Sequence, residues 1–140
     1  MPFGFGSLPE EGDFSVETDR ATVKGVQEQM IAAFGHVAIR QACEGATTEL
    51  QLGYKMLQDQ HVPTLAEAVK AVPSVEVLYL NGNQLTDISA LAEAGVAGAL
   101  PSVRLIELRG NKLSNAAVSA LAKAIEEGAF PKLDFVNLNY

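Results

Sequence analysis

The chain has 140 residues, a hydrophobic content of 48% and a formal net charge of −7, from 10 Lys+Arg against 17 Asp+Glu. This size and hydrophobic content suffice for one core, so we expect a single compact domain. Nucleic acids and anionic membranes attract proteins through Lys and Arg, so the acidic balance excludes both as favoured partners. Cys43 is the lone cysteine, and without an internal disulfide we expect an intracellular, most simply cytoplasmic, location.

Residues 1–14 are rich in Gly, Pro and acidic residues, and they predict a flexible lead. They lack the positive and apolar regions of a secretory signal, and no apolar run further along has the length of a membrane span. Phe3 and Phe5 leave two interpretations open, a docking motif or a tail that packs on the core. Residence in an organelle lumen also stays open, since a transit segment that had been removed would leave no trace.

Residues 15–45 predict a helical cap. Apolar residues at spacings of three and four form one helix face, namely Val23, Val26, Met30, Phe34 and Val37. Gly35 predicts an end or a bend of this helix, and a second short helix is expected over residues 36–43. The polar side of the region is acidic, which disfavours a membrane-surface helix. We therefore expect it to cover the hydrophobic end of the part that follows.

Residues 46–140 contain a repeated pattern. Segment 75–85 reads VEVLYLNGNQL, and it returns 28 residues later over 103–113 as VRLIELRGNKL. A degenerate copy, LQLGYKML, occupies 50–57, and a last copy begins with LDFVNL at 133–138. Helical patterns lie between the copies, the clearest one being capped by Ser114 and Asn115 and formed by Val118, Leu121, Ala122 and Ile125. Each repeat is thus predicted to contain one strand and one helix.

This pattern resembles the leucine-rich-repeat family, whose units read L-x-x-L-x-L-x-x-N/C-x-L over roughly 20–29 residues. The long helical linkers are similar to those of the ribonuclease-inhibitor subclass, which includes Ran GTPase-activating proteins. The resemblance covers residues 46–140, as about three units plus a terminal strand. It implies an α/β fold: a short solenoid with parallel strands on its concave face, helices on its convex face and an N-terminal helical cap.

An asparagine follows two of the predicted strands, at Asn83 and Asn111. Its amide has both donors and an acceptor, so we expect it to satisfy backbone groups that are left free where the strand turns away. Lys55 takes this place in the first copy and has no acceptor. The first turn is therefore predicted to close in a different way.

Candidate catalytic groups are few. Cys43 follows His36 by seven residues, a helical spacing that would place a thiol near a base, but two core-facing positions of a cap helix explain this spacing better. Asp59 and His61 would need further metal ligands, and no glycine loop has the setting of a phosphate site. Some GTPase activators act through an arginine finger, and Arg109 on the predicted strand face is the candidate for this role. We expect a non-enzymatic protein without cofactor or metal.

In the family, the residues between the core leucines face outward for recognition. They form three columns here, with Glu49, Val77, Leu105 and Phe135 in the first, Gln51, Tyr79, Glu107 and Asn137 in the second, and Gly53, Asn81, Arg109 and Asn139 in the third. Interface centres favour aromatic and Arg side chains. The predicted partner-binding residues are Val77, Tyr79, Asn81, Leu105, Glu107, Arg109, Phe135, Asn137, Asn139 and Tyr140. The alternative is that neighbouring strands or the amino-terminal segment partly cover the first column, so that it does not contact a partner.

Three functions stay open at this point. The first is a scaffold or interaction module that binds a protein partner through the concave strands and the open carboxyl edge. The second is an accessory subunit built permanently into a large hetero-oligomeric assembly, and the third is a regulator of a small GTPase. The last copy stops in mid-unit at Tyr140, so we expect an incomplete array, with a second protein pairing to the edge as the alternative.

Overall fold

The computed structural model describes residues 16–139, with side chains between residues 16 and 31 described only at 25, 26, 29 and 30. The backbone divides into two compact units, one through Ile31 and one from Ala32 onward. Four helices and four strands alternate along the described part of the chain: α1 (Val16–Glu44), β1 (Glu49–Gln51), α2 (Val62–Ala68), β2 (Val77–Tyr79), α3 (Ser89–Val96), β3 (Leu105–Glu107), α4 (Asn115–Glu126) and β4 (Phe135–Asn137). Two short 3-10 turns, Asp59–His61 and Val69–Ala71, flank α2. The predicted flexible lead, with Phe3 and Phe5, lies outside the described residues.

The four strands form one parallel sheet in the order β1-β2-β3-β4. Leu50 pairs with Leu78, Leu78 with Ile106, and Ile106 with Val136. Equivalent positions of successive sequence copies are therefore direct neighbours across the sheet, and the predicted register is confirmed. The α/β class predicted from the alternation of strand and helix patterns is confirmed as well.

The core lies between this sheet and the helices. Strands β1, β2 and β3 bury their central side chains, and the flanking residues stay exposed or half-buried, whereas Val136 at the centre of β4 is half-buried. Leu65 of α2, Leu91 of α3 and Leu121 of α4 belong to the same buried cluster as the strand residues. Helix α3 packs against both α2 and α4. Each strand and helix pair thus completes its core with the next pair, since one pair alone has too little apolar surface to bury.

Helix α1 differs from its prediction in two ways. It continues through Gly35, so one helix replaces the two that were expected. Gly35 is buried against the imidazole ring of His61, where a Cβ atom would overlap the ring, and close approach rather than helix termination explains the glycine. Of the predicted apolar face, Val26, Met30 and Phe34 are exposed.

The face of α1 that is buried lies one position further along and consists of Gly35, Ala38 and Ile39. Ile39 is fully buried in the core cluster, and Ala42 and Cys43 pack against that cluster. The side chain of Val23, which completed the predicted face, is not among those described. Because Gly35 and Ala38 are small, the last turns of α1 approach the segment that contains His61 closely.

In helix α4 the buried face is also displaced by one position, but toward the start of the helix. The hydroxyl of Ser114 accepts a hydrogen bond from the N–H of Ala117 at 3.0 Å, which confirms the predicted start of the helix. The buried residues are Ala117, Leu121 and Ala124, whereas Ala122 and Ile125 are exposed. Among the described residues, no helix is both long enough and apolar enough to cross a membrane.

Candidate functional site

Two buried asparagines tie successive turns of the chain together. The Oδ1 atom of Asn83 accepts hydrogen bonds from the N–H groups of Lys55 and Leu57, both at 3.0 Å. Its Nδ2 atom donates to the carbonyls of Leu52 and Leu80, both at 2.9 Å. One side chain therefore satisfies backbone groups of its own turn and of the preceding one.

Asn111 repeats this arrangement one strand later. Its Oδ1 accepts from the N–H of Leu85 at 3.1 Å, and its Nδ2 donates to the carbonyls of Leu80 and Leu108 at 2.8 and 3.0 Å. The role predicted for both asparagines is confirmed. Each such bond contributes about 1 kcal/mol, and a buried group left without its partner costs more.

The first turn closes differently, as Lys55 in the asparagine position predicted. Tyr54 and Met56 both adopt a φ of 56°, in the left-handed region. The positions equivalent to Tyr54 in the next two copies are Gly82 and Gly110. They have similar φ values of 72° and 79°. This conformation costs a residue with a side chain about 1–2 kcal/mol.

Tyr54 presents most of its ring to solvent, with 75% of the residue exposed. One part of the ring lies over Gly82, where a Cβ atom would overlap it. Met56 is also exposed. Sequence reasoning did not single out these two residues, although the mismatch between Tyr54 and the later glycines was a signal that could have identified them.

The outward-facing side chains of the strands and of the residues just after them form what we call the strand face, which contains the three predicted columns. Strand pairing aligns Val77 with Leu105 and Leu105 with Phe135, and aligns Tyr79 with Glu107 and Glu107 with Asn137. The third column is continued by backbone hydrogen bonds from Gly82 to Arg109 at 2.8 Å and from Gly110 to Asn139 at 2.9 Å.

Exposure varies along the strand face. Phe135 is 59% exposed, and Arg109 and Asn139 are also exposed. The remaining predicted residues are half-buried, namely Val77, Tyr79, Asn81, Leu105, Glu107 and Asn137. Tyr140 lies outside the described residues. The structure therefore brings the predicted residues together in columns, and their contact with a partner stays a prediction.

Polar groups of the strand face hydrogen-bond one another. The carboxylate of Glu107 accepts from the N–H of Arg109 at 3.1 Å and from Nδ2 of Asn137 at 3.4 Å. Asn137 Oδ1 in turn accepts from the N–H of Asn139 at 3.1 Å. The guanidinium of Arg109 forms no ion pair with any side chain that the structure describes. It is therefore an exposed positive charge on this face.

At the amino ends of the strands, the charged groups pair with each other. The guanidinium of Arg104 donates from Nε and Nη2 to Oδ2 of Asp134, at 3.0 and 2.8 Å. The hydrogen bond and the charge of Asp134, with a smaller contribution from Glu76, raise the pKa of Arg104. These residues line a depression of about 400 Å³ together with Ser102 and Lys132. The ion pair of Arg104 and Asp134 thus joins the segments that enter β3 and β4.

The two histidines take part in packing. Nδ1 of buried His61 accepts a hydrogen bond from the N–H of Gln58 at 2.9 Å, and its Nε2 lies 3.1 Å from the carbonyl of Ala32. Only a neutral ring with its proton on Nε2 satisfies both contacts, so neither nitrogen is free for a metal. The ring of His36 meets that of His61 edge-on, with 5.0 Å between centroids.

Cys43 and His36 line an apolar groove of about 540 Å³ between α1 and α2, which also includes Ile39 and Val72. Burial raises the pKa of the Cys43 thiol, which disfavours the reactive thiolate.

Within the part of the chain that the structure describes, no group of three or more His, Cys, Asp or Glu side chains is placed to hold a metal ion.

Asp59, the other metal candidate, links two turns instead. Its carboxylate accepts hydrogen bonds from the N–H and the hydroxyl of Thr86 and from the N–H of Asp87. Desolvation raises the pKa of Asp59, but the hydrogen bonds from Thr86 and Asp87 together outweigh it, and the pKa is lowered. Asp59 thus connects the first two turns through hydrogen bonds to Thr86 and Asp87.

The chain matches no protein-family model, no curated protein and no solved structure. Its function therefore has to be inferred from the residues and contacts described above.

Proposed function

We propose that residues 46–140 form a short leucine-rich-repeat solenoid of the ribonuclease-inhibitor-like kind, and that the chain is a non-enzymatic interaction module. The nearly equal spacing of the paired strands along the sequence and the asparagine bonds between successive turns support the solenoid. Neighbouring strands lie about 4.8 Å apart, whereas packed helices lie about 8–10 Å apart. A stack of such units curves toward its strands, which makes the strand face concave.

The observation that carries the proposal is the apolar stripe on the strand face. Val77, Leu105 and Phe135 are direct neighbours across three strands, and Tyr79 stands beside them in the next column. A contiguous apolar patch bordered by polar groups is typical of a protein-binding site, and aromatic side chains contribute much of the energy at such sites. The partner is thus a protein that covers this stripe.

Rigidity of the polar border supports the same function. Glu107, Asn137 and the backbone of Arg109 and Asn139 are held by hydrogen bonds within the chain. A surface whose side chains are already fixed loses little conformational entropy when a partner binds. The strand face is therefore preorganised for recognition.

The experiment is a quantitative pull-down from an extract of the native cells with a double variant, Tyr79→Arg with Leu105→Arg. A matched control places two arginines on the exposed side of α4, Ala116→Arg with Ala122→Arg. Proteins retained by the wild type and by the control should be lost from the strand-face variant, because two charges are buried at the centre of the contact. Equal retention by all three, with circular dichroism confirming that each is folded, would overturn the proposal.

A second candidate is an accessory subunit of a permanent assembly, and one observation favours it. Leu138 is 38% exposed, whereas Leu108, its equivalent in the preceding copy, is 1% exposed. The core is thus partly open beside β4, and a further structural element would complete it. Co-elution of the native protein with a second protein at fixed stoichiometry supports this candidate, and a monomer on size exclusion with light scattering contradicts it.

A further inference from the structure

The turns that follow β1 and β3 place an unusual set of residues at one end of the strand face. This set, here called the carboxyl rim, consists of Tyr54, Lys55, Met56, Arg109 and Lys112. Backbone hydrogen bonds connect the turns, from Tyr54 to Asn81 at 2.9 Å and from Lys112 to Leu85 at 3.0 Å. The rim is therefore one continuous surface that borders the third column of the strand face.

Bare backbone lies in the middle of the rim. Gly82 and Gly110 occupy the positions equivalent to Tyr54, and a Cβ atom on Gly110 would lie 3.1 Å from the backbone nitrogen of Gly82. The Tyr54 ring closes one end of this strip by lying over Gly82. Arg109 and Lys112 flank the other end, next to Gly110 and Asn111. Because the Tyr54 ring covers Gly82, the backbone that an extended chain could approach is that of the exposed Gly110.

The cations of the rim have no ion-pair partner among the side chains that the structure describes. This holds for Lys55, Arg109 and Lys112, and the last two are exposed. The nearby carboxylates already accept hydrogen bonds, since Glu107 is held by Arg109 and Asn137, Asp59 by Thr86 and Asp87, and Asp87 by Ser89. These carboxylates keep their charge, but their oxygens are partly occupied by hydrogen bonds within the chain, whereas the exposed cations Arg109 and Lys112 have no carboxylate partner among the described side chains.

Tyr54 and Met56 are exposed while their backbones hold the left-handed conformation, and the two later strand turns have glycine at the position of Tyr54. Such strain is found at ligand-binding sites, where function maintains it. A tyrosine that stays 75% exposed gains little from packing within the chain. A partner that covers the ring would account for it.

We propose that the carboxyl rim binds an acidic, extended peptide segment of the protein partner. Carboxylates of the segment bind Arg109 and Lys112, because the planar guanidinium matches a carboxylate and Lys supplies a second positive charge. An apolar or aromatic residue of the segment packs on Tyr54 and Met56, which offer a flat ring and an adaptable thioether chain. This assignment rests on the proposed interaction function and identifies the chemistry of the partner.

The direct test uses two short fluorescein-labelled peptides and the full chain. One peptide contains Asp and Glu around a Phe and a Leu, and the other replaces every acid by its amide. Fluorescence anisotropy should give a Kd at least about tenfold lower for the acidic peptide, with the difference shrinking as salt is added. Equal affinities overturn the proposal, and so does tighter binding of a single-stranded oligonucleotide, which would make the rim a phosphate site.

Matched substitutions localise the binding. Lys112→Glu should weaken the acidic peptide at least about fivefold, whereas Lys123→Glu, the same charge change on the exposed side of α4, should leave Kd within about twofold. Tyr54→Gly should weaken binding at least about threefold while leaving Tm unchanged or raised, because glycine accepts the left-handed φ without strain. Wild-type affinity in both rim variants overturns the assignment.

A neutral strand-face variant, Tyr79→Ser with Leu105→Asn, separates this proposal from the one on which it rests. If it loses the cellular partner while Lys112→Glu keeps it, the strand face stands and the rim is rejected. If Lys112→Glu loses both the partner and the acidic peptide while the strand-face variant keeps both, the rim stands and the strand face is rejected.

Discussion

The side-chain oxygen of Asn83 accepts a hydrogen bond from the backbone N–H of Leu57, 26 residues earlier in the chain, at 3.0 Å. The same amide group also bonds Lys55, Leu52 and Leu80. A residue in one turn therefore determines whether the preceding turn has its backbone groups satisfied. Stability is coupled between neighbouring strand and helix pairs through these side chains.

Asn83→Ala is expected to lower the free energy of unfolding by about 3 kcal/mol, because it leaves buried backbone donors and acceptors of two turns without partners. Urea denaturation followed by circular dichroism measures the change. Asn115→Ala removes an exposed amide at the start of α4 and should cost less than about 0.5 kcal/mol. Equal costs for the two variants would contradict the role assigned to Asn83.

Glycine to alanine substitutions at two positions of α1 should have opposite effects. Gly35→Ala places a methyl group against the His61 ring and should destabilise by about 2 kcal/mol, as overpacking does. Gly25 has no atom within 4 Å of an added Cβ. Gly25→Ala should therefore leave the stability unchanged or raise it by up to about 1 kcal/mol through helix propensity.

Thermal unfolding of both variants provides the measurement. A stabilising Gly35→Ala would show that this glycine is tolerated in the helix rather than required by the approach of His61. The double variant Gly35→Ala with His61→Ala should recover part of the loss, because the ring that collides with the methyl group is gone.

The strand register could be predicted from the sequence because the core positions of the strands recur at nearly constant spacings of 28, 28 and 30 residues. The buried faces of α1 and α4 could not, since the prediction followed large side chains such as Phe34 and Ile125. Both helices instead bury small residues, Ala38 and Ala117 among them, because close helix packing depends on the space between backbones. The hydrophobicity of a residue does not indicate how much space lies between the helix backbone and its neighbour.

The strand face was predicted as columns of residues, which the register confirms. The carboxyl rim was not predicted, although the mismatch between Tyr54 and the later glycines marked one of its positions. The packing of the Tyr54 ring over Gly82 joins the turns of two successive copies. That relationship spans two copies and is invisible within either one.

Asp59 should make stability depend on pH. Its pKa is lowered in the folded protein, since the hydrogen bonds from Thr86 and Asp87 outweigh desolvation. The resulting stabilisation is present above the unfolded-state pKa of about 4 and is lost as pH falls through the folded pKa. Asp59→Asn should therefore be less stable than the wild type near pH 7, and the difference should shrink as pH falls below about 4.

Urea denaturation at neutral pH and at about pH 3 tests this expectation. Asp59 is largely exposed, so solvent screening keeps the difference below about 1 kcal/mol. Thr86→Val removes the hydroxyl donor and should diminish the pH dependence without abolishing it. A difference between wild type and Asp59→Asn that stays constant with pH would show that the carboxylate charge is not involved.

The contact between Tyr54 and Gly82 lends itself to a double-mutant cycle. Gly82→Ala should destabilise the wild type by about 2–3 kcal/mol, because alanine is strained at a φ of 72° and its methyl group meets the Tyr54 ring. In a Tyr54→Gly background only the backbone strain remains, and the cost should fall to about 1–2 kcal/mol. A coupling free energy of zero in urea denaturation would mean that the ring does not rest on Gly82. Tyr54 would then be held by its own turn, and the aromatic end of the carboxyl rim would have no fixed position from which to bind a partner.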